Sequence, residues 1–334
     1  MPRKSRIDAP GALHHIIVRG IDRALIFRDE RDRDRLIERL GALLVETGTA
    51  CYAWALLPNH FHLLLRSGDL PIAGLMRRLL TGYAIGFNRR HRRWGHLFQN
   101  RYKSILCQQE PYLLELVRYI HLNPLRARLV EDLESLDGYL YCGHSVLIGR
   151  QEAEWQDSDS ILNRFGRRRE NARRSYREFL GKGIERGRRP ELTGGGLIRS
   201  LGGWDEVKAQ RRQRAPMKGD ERILGDSEYV DDVLRAANER LQRKYRLKAQ
   251  GLDVDKVAER AAALLGLPVE AIWAAGKQRR TVAARSLLCY WSVRHLGVSM
   301  SSMARRLRIS TTSVSHSAAR GEELAQKNDY QLSY

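Results

Sequence analysis

The residues best suited to chemistry lie in the apolar stretch 54–65, which contains His60-Phe61-His62. Side chains alternate between the two faces of a β-strand, so His60 and His62 point one way while Phe61 and Leu63 point the other. Two imidazoles held side by side on a stiff strand favour a divalent-metal site. On its own, the pair is at least as typical of an ordinary, partly exposed His-x-His strand.

A second stretch, residues 112–123, can supply a nucleophile and a third metal ligand. Its apolar residues recur at helical spacing and predict a helix that buries one face. Glu115, Tyr119 and Asn123 then fall four residues apart on a neighbouring face, where a tyrosine can point at the adjacent sheet. Because Asn123 precedes a proline, which disfavours the α conformation before it, we expect the helix to end near Asn123.

Together the two stretches predict phosphodiester chemistry on nucleic acid. Tyr119 attacking a phosphodiester would form a phosphotyrosine, while a metal held by His60 and His62 would stabilise the developing charge. Imidazole and oxygen donors favour Mg²⁺ or Mn²⁺ over zinc, with Asn123 as the natural third ligand and Glu115 as a weaker one. The chain has 13 tyrosines, so this pattern alone leaves the nucleophile open.

The segment 88–103 interleaves basic side chains with aromatic rings. Such a surface suits a single strand of nucleic acid, because its charge tracks the phosphates and the bases stack on the rings. The alternative is a solvated loop whose aromatic residues, among them Phe98 and Tyr102, anchor it to the core. The DNA contacts predicted here are Arg89, Arg90, Arg92, Arg93, Trp94, Arg101 and Lys103.

The overall charge points to the same class of partner. The 334 residues include 59 Lys and Arg against 39 Asp and Glu, a net charge of +20, which suits a polyanion because neutralised phosphates release counterions. No apolar run approaches the roughly 20 residues needed to span a bilayer, which argues against a membrane protein. The N-terminus lacks the apolar region of a signal peptide, and the four cysteines are scattered without a C-x-x-C pair. Both features are typical of a reduced, cytoplasmic protein.

The elements that must position these residues alternate between strands and helices. We predict a strand over 12–19, a helix over 28–46, a hairpin that contains the His-x-His strand, and a helix over 75–87. This order predicts an α+β sandwich, an antiparallel sheet with helices on one face.

Three further histidines are expected to have structural or DNA-contact roles. His14 and His15 are adjacent on the first strand, so they face opposite sides and cannot both join one site. Each is expected to be structural or to contact the DNA backbone. His121 lies on a different side of its helix from Tyr119 and is expected to have a structural or DNA-contact role.

After Gly149 the composition becomes basic and rich in glycine. We predict a helix over 164–178 and a basic linker over 181–214. The predicted parts of the chain are a catalytic domain over 1–150, a basic helix and linker over 151–226, and an all-helical domain over 227–334.

The all-helical part contains a predicted helix-turn-helix. Its first helix covers 299–307, and Ser310 or Thr311 caps the second. Arg308 occupies the turn, where many such motifs carry a glycine. The alternative is an ordinary three-helix core. Four helices precede the motif, over 233–245, 254–264, 269–275 and 281–296. The side chains expected to reach base edges are Thr312, Ser313, His316 and Arg320.

Two motifs of the N-terminal part, 58–65 (PNHFHLLL) and 118–124 (RYIHLNP), resemble those of single-tyrosine HUH transposases. The closer likeness is to the REP-associated tyrosine transposases, and it covers about residues 8–150. The resemblance implies a ferredoxin-like sheet that carries the two histidines and a helix that carries the nucleophile. It also implies metal-dependent cleavage and rejoining of single-stranded DNA near small hairpins through a 5′-phosphotyrosine.

The resemblance assigns His60 and His62 as metal ligands and Tyr119 as nucleophile. Asn123 stands where related transposases often place a glutamine ligand. Separately, residues 277–320, and especially 312–316 (TSVSH), resemble the DNA-binding domain of the replication initiator DnaA. This second likeness implies sequence-specific duplex binding by a helix-turn-helix preceded by a basic loop.

The sequence therefore predicts a cytoplasmic, bacterial-type DNA strand transferase that uses Mg²⁺ or Mn²⁺. Its expected partners are hairpin-bearing single strands and a duplex target, with no membrane partner, and it is expected to be a monomer or a homodimer. One alternative is a catalytically silent DNA-binding regulator, which the loss of either histidine or the tyrosine would have favoured. The other is a replication initiator or relaxase that applies the same chemistry to a plasmid origin.

Overall fold

The structure is a computed structural model. It describes residue 7 and residues 11–68, 71–187, 189–194, 219–249, 251–274 and 276–332. The chain divides into two compact units, Met1–Asp232 and Val233–Tyr334. In the part of the chain described, no helix combines the length and apolar character needed to cross a membrane.

The first unit is built on a five-stranded sheet. Its strands are β1 (Leu13–Arg19), β2 (Ala50–Leu57), β3 (His60–Arg66), β4 (Lys103–Cys107) and β5 (Ile223–Leu224). The spatial order is β2-β3-β1-β4-β5. The first four strands are antiparallel and have the order of a ferredoxin-like sheet, while β5 adds a short parallel edge beside β4. The predicted α+β fold is confirmed, and the sheet is mixed.

Two long helices, α1 (Glu30–Thr47) and α2 (Ile72–Arg90), cover one face of this sheet. The first helix begins where the Asp29 carboxylate accepts a hydrogen bond from the backbone N–H of Asp32 at 3.0 Å, a standard N-cap. It ends at Gly48, whose φ of 59° is left-handed and favours glycine.

The opposite face of the sheet is covered by α3 (Gln109–His121), so the prediction of helices on one face only is wrong. The cause is visible in β2, where Ala53, Ala55 and Leu57 are buried on this second face. A strand buried on both faces is apolar throughout, unlike a strand with one face in water.

Short helices continue from α3 around the same face. They are α4 (Asn123–Arg126), α5 (Leu133–Asp137), α6 (Gly143–Leu147), α7 (Ser158–Leu162) and α8 (Arg169–Gly181). The helix predicted over 164–178 therefore begins five residues later, at Arg169. The predicted linker is wrong for residues 190–193, which form a 3-10 turn with Leu192 buried in the core. The linker residues 195–214 lie outside those described.

The second unit is helical. Its helices are α9 (Ser227–Ala249), which contains the boundary between the units, α10 (Val254–Leu264), α11 (Val269–Trp273), α12 (Arg279–Tyr290), α13 (Met300–Leu307) and α14 (Thr311–Lys327). The helix predicted over 281–296 is interrupted, because Trp291–His295 forms a π-helical turn. Trp291, Met303 and Val314 are buried in one core that holds α12, α13 and α14 together.

Candidate active site

The hairpin of β2 and β3 positions the two histidines of the His-x-His motif. It turns at Pro58-Asn59, directly before His60, and Ile17 of β1 lies opposite His62 in the sheet. Phe61 packs into the core on the α1 and α2 side. As the strand alternation predicts, the rings of His60 and His62 share the other face, with their centroids 5.3 Å apart.

Asn59 fixes the orientation of the His60 ring. Its Nδ2 donates a hydrogen bond to the Arg23 carbonyl at 3.2 Å, so its Oδ1 is the atom that faces the ring. That oxygen accepts from Nδ1 of His60 at 2.7 Å. Because a neutral imidazole carries one proton, the Nε2 lone pair of His60 remains available to a metal.

A third histidine, His15, joins the pair from β1. It lies diagonally across from His62 on the same face, and its Nε2 is 2.9 Å from Nδ1 of His62. Its Nδ1 is 3.0 Å from the carbonyl oxygen of Leu192. His14 faces the other side of the sheet, where it bonds to Ser104 Oγ at 3.2 Å. The two adjacent histidines do not share a site, as predicted, but the sequence did not identify His15 as a member of this one.

Tyr119 reaches the same place from α3. This helix buries Leu116 and Ile120 against the sheet, and Tyr119 lies half-buried beside them. The tyrosine ring stands edge-on to His62 and to His15, with a centroid distance of 5.9 Å in each case. The structure therefore brings His60, His62 and Tyr119 together, although they come from two separate stretches of the chain.

Arg126 contacts both the ring and the backbone of Tyr119. The guanidinium carbon of Arg126 lies 5.3 Å from the centroid of the Tyr119 ring. One of its nitrogens also donates to the Tyr119 backbone carbonyl at 3.3 Å. A cation above an aromatic face is attracted by the ring quadrupole, so this contact restrains the ring as well as the backbone.

Asn123 is buried near the end of the same helix. As the following proline predicts, α3 ends at His121 and Asn123 opens the next short helix. Its side-chain amide nitrogen is buried and has no hydrogen-bond partner among the described residues. An orphaned buried amide is unusual, since such groups are nearly always paired.

Glu115 and His121 have other partners. The Glu115 carboxylate forms ion pairs with Arg118, with Arg189 at 3.3 Å and with Arg186 at 3.6 Å. His121 is fully buried, and its Nδ1 is 2.7 Å from the Tyr176 hydroxyl. Of the two roles predicted for His121, its burial matches the structural one.

Burial keeps the histidine rings of the site neutral. Desolvation lowers the pKa of His60 and of His15 to about 4, and nearby Arg19 and Lys103, respectively, act in the same direction. The pKa of His62 lies well below its usual value because of burial and of the neighbouring His15, His60 and Arg19. The neutral imidazole is the form that binds a metal.

The donor set fits an ion that accepts oxygen ligands. Two imidazoles at the observed separation can reach one ion, because a metal lies about 2 Å from each coordinating nitrogen. Within the residues that the structure describes, no three His, Cys, Asp or Glu side chains form a metal cluster. The remaining ligands of such an ion would be an amide, water or phosphate oxygens, which Mg²⁺ and Mn²⁺ accept.

The basic segment 88–103 combines the two alternatives that its sequence left open. Phe98 and Tyr102 pack against the core of the first unit, whereas Trp94 is 87% exposed. Arg89, Arg92, Arg101 and Lys103 are exposed, and Arg93 is partly so.

Several cations of this segment already have partners. Arg90 forms ion pairs with Asp29 at 2.6 Å and with Asp32. Arg93 donates to Asn88 Oδ1 at 3.0 Å, and Lys103 Nζ donates to the Thr193 carbonyl at 2.6 Å. The charge of Arg90 is therefore compensated within the protein.

In the second unit the predicted DNA contacts lie on α14. The Ser310 hydroxyl accepts from the backbone N–H of Ser313 at 3.0 Å, so Ser310 is the N-cap. Ser313, His316 and Arg320 are exposed and Thr312 is partly exposed. Thr312, His316 and Arg320 recur every four residues and so share one side of the helix.

Residues 10–123 match the family model described as "Transposase IS200 like". No curated protein matches the chain. A solved structure described as "Structure of the REP associates tyrosine transposase bound to a REP hairpin" aligns with 47% of this chain and 93% of its own, at 16% identity and a TM-score of 0.38. The resemblance to IS200-like transposases is thus confirmed for residues 10–123. The resemblance of the C-terminal part to DnaA stays a prediction.

Proposed function

We propose that the first unit, which is similar to IS200-like transposases over residues 10–123, is a metal-dependent single-tyrosine DNA strand transferase. It would cleave and rejoin single-stranded DNA beside hairpins. The observation that carries the proposal is the convergence of His60, His62 and Tyr119 on one face of the sheet. A nucleophile beside two neutral imidazoles is the arrangement that metal-assisted attack on a phosphodiester needs.

In the proposed step, the phenolic oxygen of Tyr119 forms a bond to phosphorus while the bond from phosphorus to the 3′-oxygen breaks. The phenol loses its proton and the leaving 3′-oxygen gains one, so the products are a 5′-phosphotyrosine and a free 3′-hydroxyl. Attack by a 3′-hydroxyl on the phosphotyrosine reverses the step and joins two strands. A Mg²⁺ or Mn²⁺ ion held by His60 and His62 would neutralise charge on the non-bridging oxygens.

Asn123 is the proposed third protein ligand. Its buried amide nitrogen has no hydrogen-bond partner among the described residues, and a half-turn of the amide exchanges its nitrogen and oxygen. An amide oxygen is a ligand that Mg²⁺ and Mn²⁺ accept. Glu115 is not proposed as a metal ligand, because three arginines already surround its carboxylate.

Two surfaces would hold DNA. Arg89, Arg92, Trp94 and Arg101 would contact the single strand, through charge and through stacking. Arg90 is left out of this surface, because Asp29 and Asp32 neutralise it. On the second unit, the exposed side of α14 would read the major groove of a duplex target, as recognition helices do.

The test is a search for a covalent adduct on hairpin-containing single-stranded DNA. The full chain is incubated with a labelled hairpin library in Mg²⁺ or Mn²⁺, and denaturing gels are read for protein-linked DNA. We expect a metal-dependent adduct in the wild type and a loss of about 10³-fold or more in Tyr119→Phe, because the attacking oxygen is removed.

Tyr112→Phe is the matched control, since it makes the same change on the same helix at a partly buried tyrosine that packs against the core. It should form adduct at close to the wild-type rate. Tight duplex binding with no adduct in either metal would contradict the proposal and favour a regulator. An adduct that persists in Tyr119→Phe would place the nucleophile elsewhere.

A further inference from the structure

A buried chain of hydrogen bonds connects the backbone of the 190–193 turn to His62. The carbonyl oxygen of Leu192 lies 3.0 Å from His15 Nδ1, and His15 Nε2 lies 2.9 Å from His62 Nδ1. His15 is fully buried, and His62 and Leu192 are each 2% exposed. Water therefore does not compete for these contacts.

The chemistry of the groups fixes the direction of each bond. A carbonyl oxygen only accepts, so Nδ1 of His15 carries the proton that it donates to Leu192. A neutral imidazole has a single N–H, so Nε2 of His15 is bare and accepts from Nδ1–H of His62. The proton of His62 is thereby held on Nδ1, and its Nε2 lone pair is free.

We propose that His15 is a positioning residue that fixes the metal-binding tautomer and the ring orientation of His62, with the Leu192 carbonyl as its anchor. This inference rests on the proposed metal site. His15 is not itself a ligand, because both of its ring nitrogens are engaged. The second partner in the chain, the turn at 190–193, lies outside the residues 10–123 that resemble IS200-like transposases.

The turn is held in place, as an anchor must be. The Leu192 side chain packs in the core between the sheet and α3. Lys103 Nζ donates to the Thr193 carbonyl at 2.6 Å, and Arg189 pairs with Glu115 at 3.3 Å. These contacts lie on both sides of Leu192, so its carbonyl is fixed relative to β4 and α3.

The first readout is Mn²⁺ affinity of the DNA-free, full-length protein, measured by titration with electron paramagnetic resonance. We expect His15→Phe to weaken binding about 10- to 100-fold, the usual effect of losing the partner of a ligating histidine. His15→Gln should recover most of the affinity, because its amide oxygen can accept from His62. His14→Phe is the matched control, a buried neighbour that faces the other side of the sheet, and should bind Mn²⁺ as the wild type does.

The second readout is the tautomer of His62 in the metal-free protein, from ring ¹⁵N shifts assigned with a His62→Gln variant. The wild type should show His62 protonated on Nδ1, and His15→Phe should move the proton toward Nε2. A merely structural role for His15 would leave this tautomer unchanged. Thermal unfolding checks that each variant is folded, and His15→Met, which also cannot accept the bond, replaces His15→Phe if the latter is not.

The outcomes separate this inference from the proposed function. Wild-type protein that binds no Mn²⁺, or that binds it equally well after His60→Ala, overturns the metal site and the inference together. Binding that depends on His60 but is unchanged in His15→Phe or His15→Met, with His62 still protonated on Nδ1, overturns the inference alone.

Discussion

In the proposed DNA surface, Trp94 is the residue whose substitution can separate the contribution of base stacking to DNA affinity from the contribution of charge. Its aromatic neighbours Phe98 and Tyr102 are committed to the core, whereas Trp94 leaves 87% of its surface in water. An indole so exposed contributes little to packing within the first unit. Bases stack on such rings regardless of sequence, and stacking carries no dependence on salt of its own.

We predict that Trp94→Ala weakens binding of an unstructured single strand by about 1–3 kcal/mol, the usual value of one stacked base. The slope of log affinity against log salt should stay at its wild-type value, because no charge is removed. Fluorescence anisotropy with a labelled oligonucleotide at several salt concentrations measures both quantities.

Two variants serve as controls for Trp94→Ala. Ile85→Ala removes a side chain that is 64% exposed on α2 and should leave the affinity unchanged. Arg101→Ala should lower the salt slope by about one, as expected for one lost phosphate contact. Wild-type affinity in Trp94→Ala would remove the tryptophan from the DNA surface.

The sequence reveals those parts of the site whose residues lie close together along the chain, and not those that only the fold brings together. His60 and His62 are two residues apart on one strand, so the period of a strand is enough to predict their shared face. His15 meets His62 only because of the register between β1 and β3. Its second partner, the Leu192 carbonyl, lies 177 residues along the chain and has no side-chain signature. Spacing in the sequence does not encode contacts of that kind.

At the scale of elements, the positions of helices and strands along the chain were easier to predict than the face of the sheet that each helix covers. The predicted strand over 12–19 and the helix over 254–264 correspond closely to Leu13–Arg19 and Val254–Leu264. The helices over 112–123 and 164–178 were predicted, but their place on the second face of the sheet was not. The uninterrupted apolar run of Ala50–Leu57 already indicated a strand buried on both sides.

The turn between α13 and α14 contains a strained backbone conformation, which lowers the free energy of unfolding of the second unit. Arg308 follows the last residue of α13 with a φ of 55°, the left-handed conformation in which an L-residue is strained. Ser310 then caps α14, so the backbone of the turn is fixed from both sides. Glycine adopts this conformation freely, which is why it is the usual residue at such helix ends.

We predict that Arg308→Gly raises the free energy of unfolding of the second unit by about 1 kcal/mol, because the left-handed strain disappears. Amide hydrogen exchange of α12 and α14 in the full chain, measured at increasing urea, gives the change for the second unit. Arg305→Gly is the matched control within α13, where the same substitution should cost about 1 kcal/mol. A loss of stability in Arg308→Gly like that in Arg305→Gly would contradict the strain argument.

At the scale of the whole molecule, the described part of the first unit buries five histidines, and burial lowers the pKa of each. His15 and His62 belong to the site, while His14, His121 and His144 lie within the protein body. Burial lowers the pKa of His14 and His15 to about 4, and lowers the pKa of His62, His121 and His144 as well. In the unfolded chain each returns to the ordinary histidine value of about 6.5.

This difference sets the sign of the pH dependence. Between the folded and unfolded pKa values the unfolded chain binds more protons, so the free energy of unfolding falls as the pH falls. The stability is complete above pH 6.5 and is lost progressively toward pH 4. From pH 7.5 to 5.5, His14 and His15 together should account for a loss of about 3 kcal/mol, since each contributes about 1.3 kcal/mol over this interval, most of it below pH 6.5. The other three histidines act in the same direction.

Urea unfolding of the metal-free protein at pH 7.5 and 5.5, followed by far-ultraviolet circular dichroism, measures this loss. Above pH 5.5 ordinary carboxylates are nearly all ionised, so they contribute little to the difference. The His14→Phe variant should lose about 1.3 kcal/mol less than the wild type over the same interval, because one titrating group is gone. Equal stability of the wild type at the two pH values would mean that these histidines keep their ordinary pKa in the folded protein, which would contradict the effect of burial argued above.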